Sequence, residues 1–252
     1  MEYESVVPQL PLTGERTVPG IVEENYWFRR HEAAYLALRP YCVDAFVLEA
    51  GCGEGYGADL LARDAVGVLG LDYDALTLAH VAKAYPRVHT TRANLAALPV
   101  GTSTVDVVAN FQVIEHLWDQ EGFLRECLRV LRPGSRLLIT TPNRITFSPG
   151  RDTPLNPFHT RELAPAEMAE LLRRAGFELE YLAGLRHGPR LAALDAEFGG
   201  SLIDAQVAVA LSGAPWPEEL RDAVASVAAT DFSISDRDLD SSLDIVAVAV
   251  RP

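Results

Sequence analysis

Lysine is almost missing from this chain: Lys83 is the only one in 252 residues, and arginine carries nearly all of the positive charge. The formal net charge is −13, so polyanions are repelled on average, which argues against nucleic acid or an anionic membrane as a partner. Small molecules, peptides or neutral sugars fit that balance better. Cysteine is scarce too. Cys42, Cys52 and Cys127 show neither paired nor metal-binding spacing, so they read as reduced thiols of a cytoplasmic protein. No apolar run reaches the length of a membrane span, and Met1-Glu2-Tyr3-Glu4 lacks the basic start of a signal peptide. Internal repeats and low-complexity tracts are missing as well. What is present is a hydrophobic share of 48%, enough for one large α/β domain with room for an insertion.

The chain is organised around Phe46-Val47-Leu48-Glu49-Ala50-Gly51-Cys52-Gly53-Glu54-Gly55-Tyr56-Gly57. An apolar run predicts a buried strand, glycines a turn, and Ala58–Ala62 the start of a helix. This arrangement lets a backbone approach a nucleotide-like ligand and presents helix N–H groups to it. The register Gly53-x-Gly55-x-x-Ala58 satisfies a dinucleotide pattern, but the first glycine of the turn is Gly51. Glu49, two residues earlier, would repel a pyrophosphate and suits a ligand carrying an ammonium and a sulfonium. A compact oxidoreductase of this length needs a Tyr-x-x-x-Lys pair. Position 79, four before the single lysine, is Ala79, so that chemistry has no residues to run on.

Glu49-Ala50-Gly51-Cys52-Gly53-Glu54-Gly55 resembles motif I of the class I S-adenosylmethionine-dependent methyltransferases. The resemblance implies a Rossmann-like α/β fold with a seven-stranded, mostly parallel sheet whose last strand is antiparallel. It implies S-adenosylmethionine as cofactor, held by Glu49, Gly51, Gly53 and Gly55. Asp72, about twenty residues beyond the glycines and closing the strand Val66–Leu71, is placed to accept hydrogen bonds from ribose hydroxyls. Tyr73 beside it is placed against the adenine. Asn94 occupies the position of a further adenine contact, and Asn110 ends the fourth strand (Val105–Phe111) at the ligand's edge.

Residues 1–40 read as an N-terminal arm with a helix crowded with aromatics and arginines (Glu24–Leu36). That helix is either packed on the sheet or a lid, with Arg30 placed to pair with the cofactor carboxylate. Residues 41–252 read as the methyltransferase domain, with a helical insertion at 187–242 (helices over 202–211 and 218–229) before the last strand. The insertion could shape a substrate site or a homodimer contact. A single helix is expected to follow Gln112–Leu117 and run to Leu131.

Methyl transfer to a hydroxyl needs donor and acceptor in line and a group to manage the proton. His116, after the fourth strand and beside Glu115, is the first candidate base, and His159, in a long loop, is the second. Gln112, Glu115 and His116 also resemble the Glu-x-x-Glu-His cluster of the ubiquinone-pathway O-methyltransferases. That resemblance implies a divalent cation, magnesium or manganese, although Gln112 replaces the first glutamate. Both the base and the metal reading stay open.

Beyond the cofactor motifs, residues 25–31, 110–120, 141–153 with 156–163, 187–191 and 213–220 resemble the actinobacterial 1-O-methyltransferases of methylmannose polysaccharide biosynthesis. The acceptor this implies is the anomeric hydroxyl of a short 3-O-methylated mannoside. Arg144, Arg151, Asn156, His187 and Asp204 are polar groups available to such a sugar. A methyltransferase of another small hydroxylated or amine metabolite, and a non-catalytic scaffold that binds S-adenosylmethionine, are the competing readings.

Overall fold

In the central strands, consecutive apolar residues are sorted onto opposite faces of one sheet. Val47, Val107, Leu138 and Val246 enter one apolar cluster, while their neighbours Leu48, Val108, Leu137 and Ala247 enter the other. This is the two-residue side-chain period of a strand covered on both faces. The computed structural model describes residues 16–252; the arm expected over Met1–Leu12 lies outside them. Helix α1 (Asn25–Leu38) precedes β1 (Phe46–Ala50), followed by α2 (Tyr56–Leu61), β2 (Gly67–Asp72), α3 (Ala75–Ala84), β3 (Val88–Arg92) and β4 (Val105–Phe111). The chain continues through α4 (Gln120–Val130), β5 (Leu131–Pro142), the short α5 (Arg144–Phe147), α6 (Pro165–Arg174) and β6 (Glu178–His187). Helices α7 (Pro189–Glu197), α8 (Leu202–Ser212) and α9 (Glu218–Ala225) then lead to β7 (Phe232–Ser235) and β8 (Asp244–Val250).

The strand order is β3-β2-β1-β4-β5-β8-β6-β7. Strands β3 to β5 along that order pair in parallel, and β8 runs antiparallel between β5 and β6. The order reverses between β1 and β4, which opens a crevice over their carboxyl ends.

The sheet has eight strands where seven are expected. The extra one, β7, lies inside the insertion and pairs antiparallel with β6, Phe232 against His187. Alternation in Phe232-Ser233-Ile234-Ser235 is the signal for it, so the insertion is not wholly helical. The helix expected after Gln112–Leu117 is α4, which ends at Val130. Gln112 adopts φ +57°, Ile114–His116 form a 3-10 turn, and α4 starts afresh where the Asp119 carboxylate accepts the Gly122 N–H at 2.7 Å.

Helix α1 is held by the insertion as well as by the sheet. Tyr26 and Tyr35 share an apolar cluster with Leu191, Leu220 and Val224. The Asn25 amide donates to the carbonyls of Val224, Ala225 and Val227 at 2.9–3.2 Å, satisfying the end of α9. His187 Nδ1 faces Asp195 at 2.5 Å, and its Nε2 accepts the Tyr26 hydroxyl at 2.6 Å.

Candidate active site

The crevice holds a cavity of about 520 Å³, walled by the glycine turn, the end of β2 and the exit of β4. Gly51 and Gly53 lie on the wall. Gly53 has φ +51°, and a Cβ there would meet no atom within 4 Å, so its missing side chain is cavity space. Gly55 is not on the wall. It starts α2 at φ +101°, and a Cβ would press on Val81 and Tyr85 at 2.8 Å, so packing against α3 demands this glycine. Asp72 is buried at the end of β2, where one oxygen accepts the Gly53 N–H and the other the Asp74 N–H, each at 3.0 Å. A carboxylate has about four lone pairs, so each oxygen retains capacity for a diol. Tyr73 and Asn94 share this wall; the Asn94 side chain also accepts the Ala96 N–H.

Glu49 lies beneath the turn. Its Oε1 accepts the Tyr35 hydroxyl at 2.6 Å, and its Oε2 is buried without a hydrogen-bond partner. Burial pushes its pKa up to about 8. Asn110 does not reach the cavity wall; its amide donates to the Ala50 carbonyl at 2.8 Å and ties β4 to β1. Phe111, Gln112 and Val113 form the wall instead. Arg30 is a second displaced assignment. Its guanidinium is buried and paired with both oxygens of Asp244 at 2.6 and 2.7 Å, an attraction that satisfies it structurally. The arginine on the wall of the larger cavity is Arg16, which bonds Thr77 at 2.8 Å and Asp74 at 3.2 Å.

A smaller cavity of about 270 Å³ adjoins the first. His116, His31, Gln112, Arg16 and Thr17 line both. His116 Nδ1 lies 3.0 Å from the Phe158 carbonyl, which can only accept, so in the neutral ring Nδ1 carries the proton and Nε2 is the basic nitrogen. Nε2 is 3.9 Å from Glu115 Oε1. Glu115 is buried, its other oxygen accepting the Thr141 hydroxyl at 2.9 Å; burial lifts its pKa to about 7, against the pull of His159. His159 stands edge-on to His116 at 4.8 Å, with Nδ1 on Glu162 at 2.6 Å and Nε2 on the Asn156 amide at 3.1 Å. Ligand atoms of Glu115, His116 and His159 all lie within 4.8 Å of one another. Gln112 stands apart from that triplet, its amide donating to Thr140 at 3.3 Å.

A family described as a methyltransferase domain matches residues 48–139, from β1 to β5. A protein of Mycolicibacterium smegmatis named a "probable S-adenosylmethionine-dependent methyltransferase" is 63% identical over 246 residues, 96% of each chain. This chain belongs to the class I S-adenosylmethionine-dependent methyltransferases. A ubiquinone biosynthesis O-methyltransferase of Xanthomonas euvesicatoria is 29% identical over 178 residues, covering 62% of this methyltransferase and 72% of the relative. A Haloferax volcanii methyltransferase complex with the Trm112 activator includes a chain sharing the fold, at a TM-score of 0.65 and 18% identity, with 92% of each chain covered.

The larger cavity of this methyltransferase fits its family's cofactor. Gly53 leaves room for the backbone to approach and Asp72 keeps acceptor capacity for ribose hydroxyls, whereas Glu49 does not line this cavity: its orphaned Oε2 is buried beneath the turn. Of the polar groups available to a sugar, only Asn156 lines either of these two cavities. Arg144 pairs with Glu167, and His187 is engaged by Asp195 and Tyr26. Arg151 and Asp204 line neither cavity. Sequence reasoning missed Arg16, Glu24, Trp27 and Tyr35; the aromatic crowding of α1 was the visible signal for Trp27 and Tyr35, and nothing local marked the other two. Among the described residues, no helix is long and apolar enough to cross a membrane.

Proposed function

We propose that this methyltransferase methylates a sugar hydroxyl, the anomeric 1-hydroxyl of a short 3-O-methylated mannoside in polysaccharide biosynthesis. The observation that carries O-methylation is His116, which stands on the wall common to both cavities with Nδ1 fixed by the Phe158 carbonyl. S-adenosylmethionine, when bound, supplies an electrophilic methyl on its sulfonium. With that group bound, Nε2 of His116 would take the hydroxyl proton as the acceptor oxygen receives the methyl and the sulfonium leaves as a neutral thioether, and Glu115 would favour the resulting imidazolium. An anomeric hydroxyl is more acidic than other sugar hydroxyls, which suits a histidine. Polar groups beside Trp27 and Phe147 in the smaller cavity support a sugar acceptor, and the extended sequence resemblance supports the mannoside.

The test is methyl transfer to a panel of mannosides with free and blocked reducing ends. The expected result is activity only where the 1-hydroxyl is free, and a loss of about 10²–10⁴-fold in rate for His116→Ala. Methylation of the blocked acceptors would remove the anomeric assignment, and a fully active His116→Ala would remove the base. A divalent cation is the second reading, favoured by the Glu115–His116–His159 triplet. It predicts loss of activity in chelator, recovery with magnesium or manganese, and a response to Glu115→Gln close to that of His116→Ala.

A further inference from the structure

The smaller cavity contains two side chains that neither cofactor binding nor proton transfer uses. Glu24 immediately precedes α1 and Trp27 lies three residues on, a spacing that puts them on one side of the helix start. Both line the smaller cavity, and neither lines the larger. The Glu24 carboxylate takes no hydrogen bond and no ion pair from any described residue. Burial and the neighbouring charge of Glu23 raise its pKa, the mark of a carboxylate short of donors. Trp27 is fixed from two sides: the Tyr26 ring meets it edge-on at 5.1 Å, and the Arg30 guanidinium lies 5.5 Å from its centroid. Arg30 is itself clamped by Asp244 and by the Leu243 carbonyl. A buried ion pair therefore serves as the footing of an aromatic wall. Phe147, stacked on His159 at 5.4 Å, provides a second aromatic wall.

Charge narrows what this space accepts. The two guanidiniums on the wall are already paired, Arg16 with Asp74 and Arg30 with Asp244, whereas the Glu24 carboxylate is not. A phosphorylated acceptor would meet Glu24 and Glu115 with both guanidiniums of the described wall residues already engaged. A neutral polyol offers apolar C–H faces to the indole and hydroxyl donors to the carboxylate.

We propose that Glu24 and Trp27 form the subsite that recognises the acceptor's pyranose ring, with Trp27 carrying its C–H face and Glu24 accepting hydrogen bonds from neighbouring hydroxyls. This rests on the sugar reading given above. Both residues are specificity-determining, because they bind the ring and take no part in moving the proton.

The experiment measures acceptor KM, kcat and S-adenosylmethionine affinity for wild type, Glu24→Gln, Trp27→Ala and Trp27→Phe. The acceptor is a 3-O-methylated mannose disaccharide with a free reducing end. Glu24→Gln and Trp27→Ala are expected to raise acceptor KM about tenfold or more, with Trp27→Phe recovering most of the loss. Calorimetric affinity for S-adenosylmethionine should stay within about twofold of wild type, as for an intact larger cavity. Unchanged KM in both Glu24→Gln and Trp27→Ala, while wild type methylates the disaccharide, overturns the subsite and leaves sugar methylation standing. A Trp27→Ala protein that also loses cofactor binding has lost its fold, and Glu24→Gln, nearly isosteric, then decides alone. A wild type that methylates no mannoside overturns both readings together.

Discussion

The two cavities share a wall at His116, His31 and Gln112 but are built by different means. The larger is bounded by short contiguous stretches, and much of its shape comes from backbone: Gly51, Gly53 and the end of β2. The smaller is assembled from side chains of α1, the β4 exit turn and the loop after β5, which lie far apart in sequence. A backbone-built site restricts residue type, since only glycine fits at Gly53 without entering the ligand's space. A site built of side chains leaves the backbone alone and can change its ligand by changing one residue. The division suits an enzyme whose cofactor belongs to the whole family and whose acceptor is its own.

The strongest test of that division is Asp72→Ala. Asp72 braces the Gly53 N–H and lies on the larger cavity only. Its loss is expected to weaken S-adenosylmethionine binding by about 1–3 kcal/mol, while acceptor KM at saturating cofactor holds. Normal cofactor affinity in calorimetry would remove the ribose assignment, and a parallel rise in acceptor KM would show that the cavities are not independent.

The same division explains what the sequence reveals. The glycine turn, Asp72 and the apolar runs of β1, β4 and β8 are local patterns, because strand and turn chemistry are written in a few consecutive residues. Arg30 looked like a cofactor ligand because its partner, Asp244, sits 214 positions away and spacing cannot show it. The turn before α4 has no local mark either: nothing in Gln112–Leu117 announces a left-handed residue before a 3-10 turn. His159 was nominated from its loop, but its approach to His116 depends on Thr160 bonding the backbone of Glu115 and Leu117, a tertiary event. Glu24 carried no signal at all, being one of two adjacent glutamates at the head of α1.

A second prediction uses pH. Burial holds the Glu49 carboxyl at a pKa of about 8, above its ordinary 4.5. The free protein therefore keeps it protonated at neutrality, and pairing with an ammonium requires the carboxylate. Cofactor binding should release a proton, with affinity rising up to about tenfold per pH unit below about 8 and falling above it as the ligand's own ammonium deprotonates. In the unliganded protein the sign is opposite. The group contributes fully to stability below 4.5, and the contribution is lost as pH rises through about 8; Glu115, raised to about 7, acts in the same direction. Glu49→Gln should flatten the affinity profile and leave acceptor KM alone. Calorimetry in two buffers of different ionisation enthalpy measures the proton, and no release at pH 7 would separate Glu49 from the ammonium.

The smallest effect is expected at Asn25, and it probes the other cavity. Its amide satisfies three carbonyls at the end of α9 and so fixes the start of α1, where Glu24 and Trp27 stand. Asn25→Ala leaves those carbonyls to water at a partly exposed site, a cost of about 1 kcal/mol in thermal or denaturant unfolding. The larger cavity keeps Gly53 and Asp72 in place, so cofactor affinity should not move. The smaller cavity loses the anchor of its α1 wall, so acceptor KM should rise a few-fold, about as much as 1 kcal/mol of lost positioning allows. Equal losses for cofactor and acceptor would mean that α1 supports both cavities alike. No change in acceptor KM would mean that the footing beneath Trp27, Arg30 on Asp244, holds the wall without the insertion.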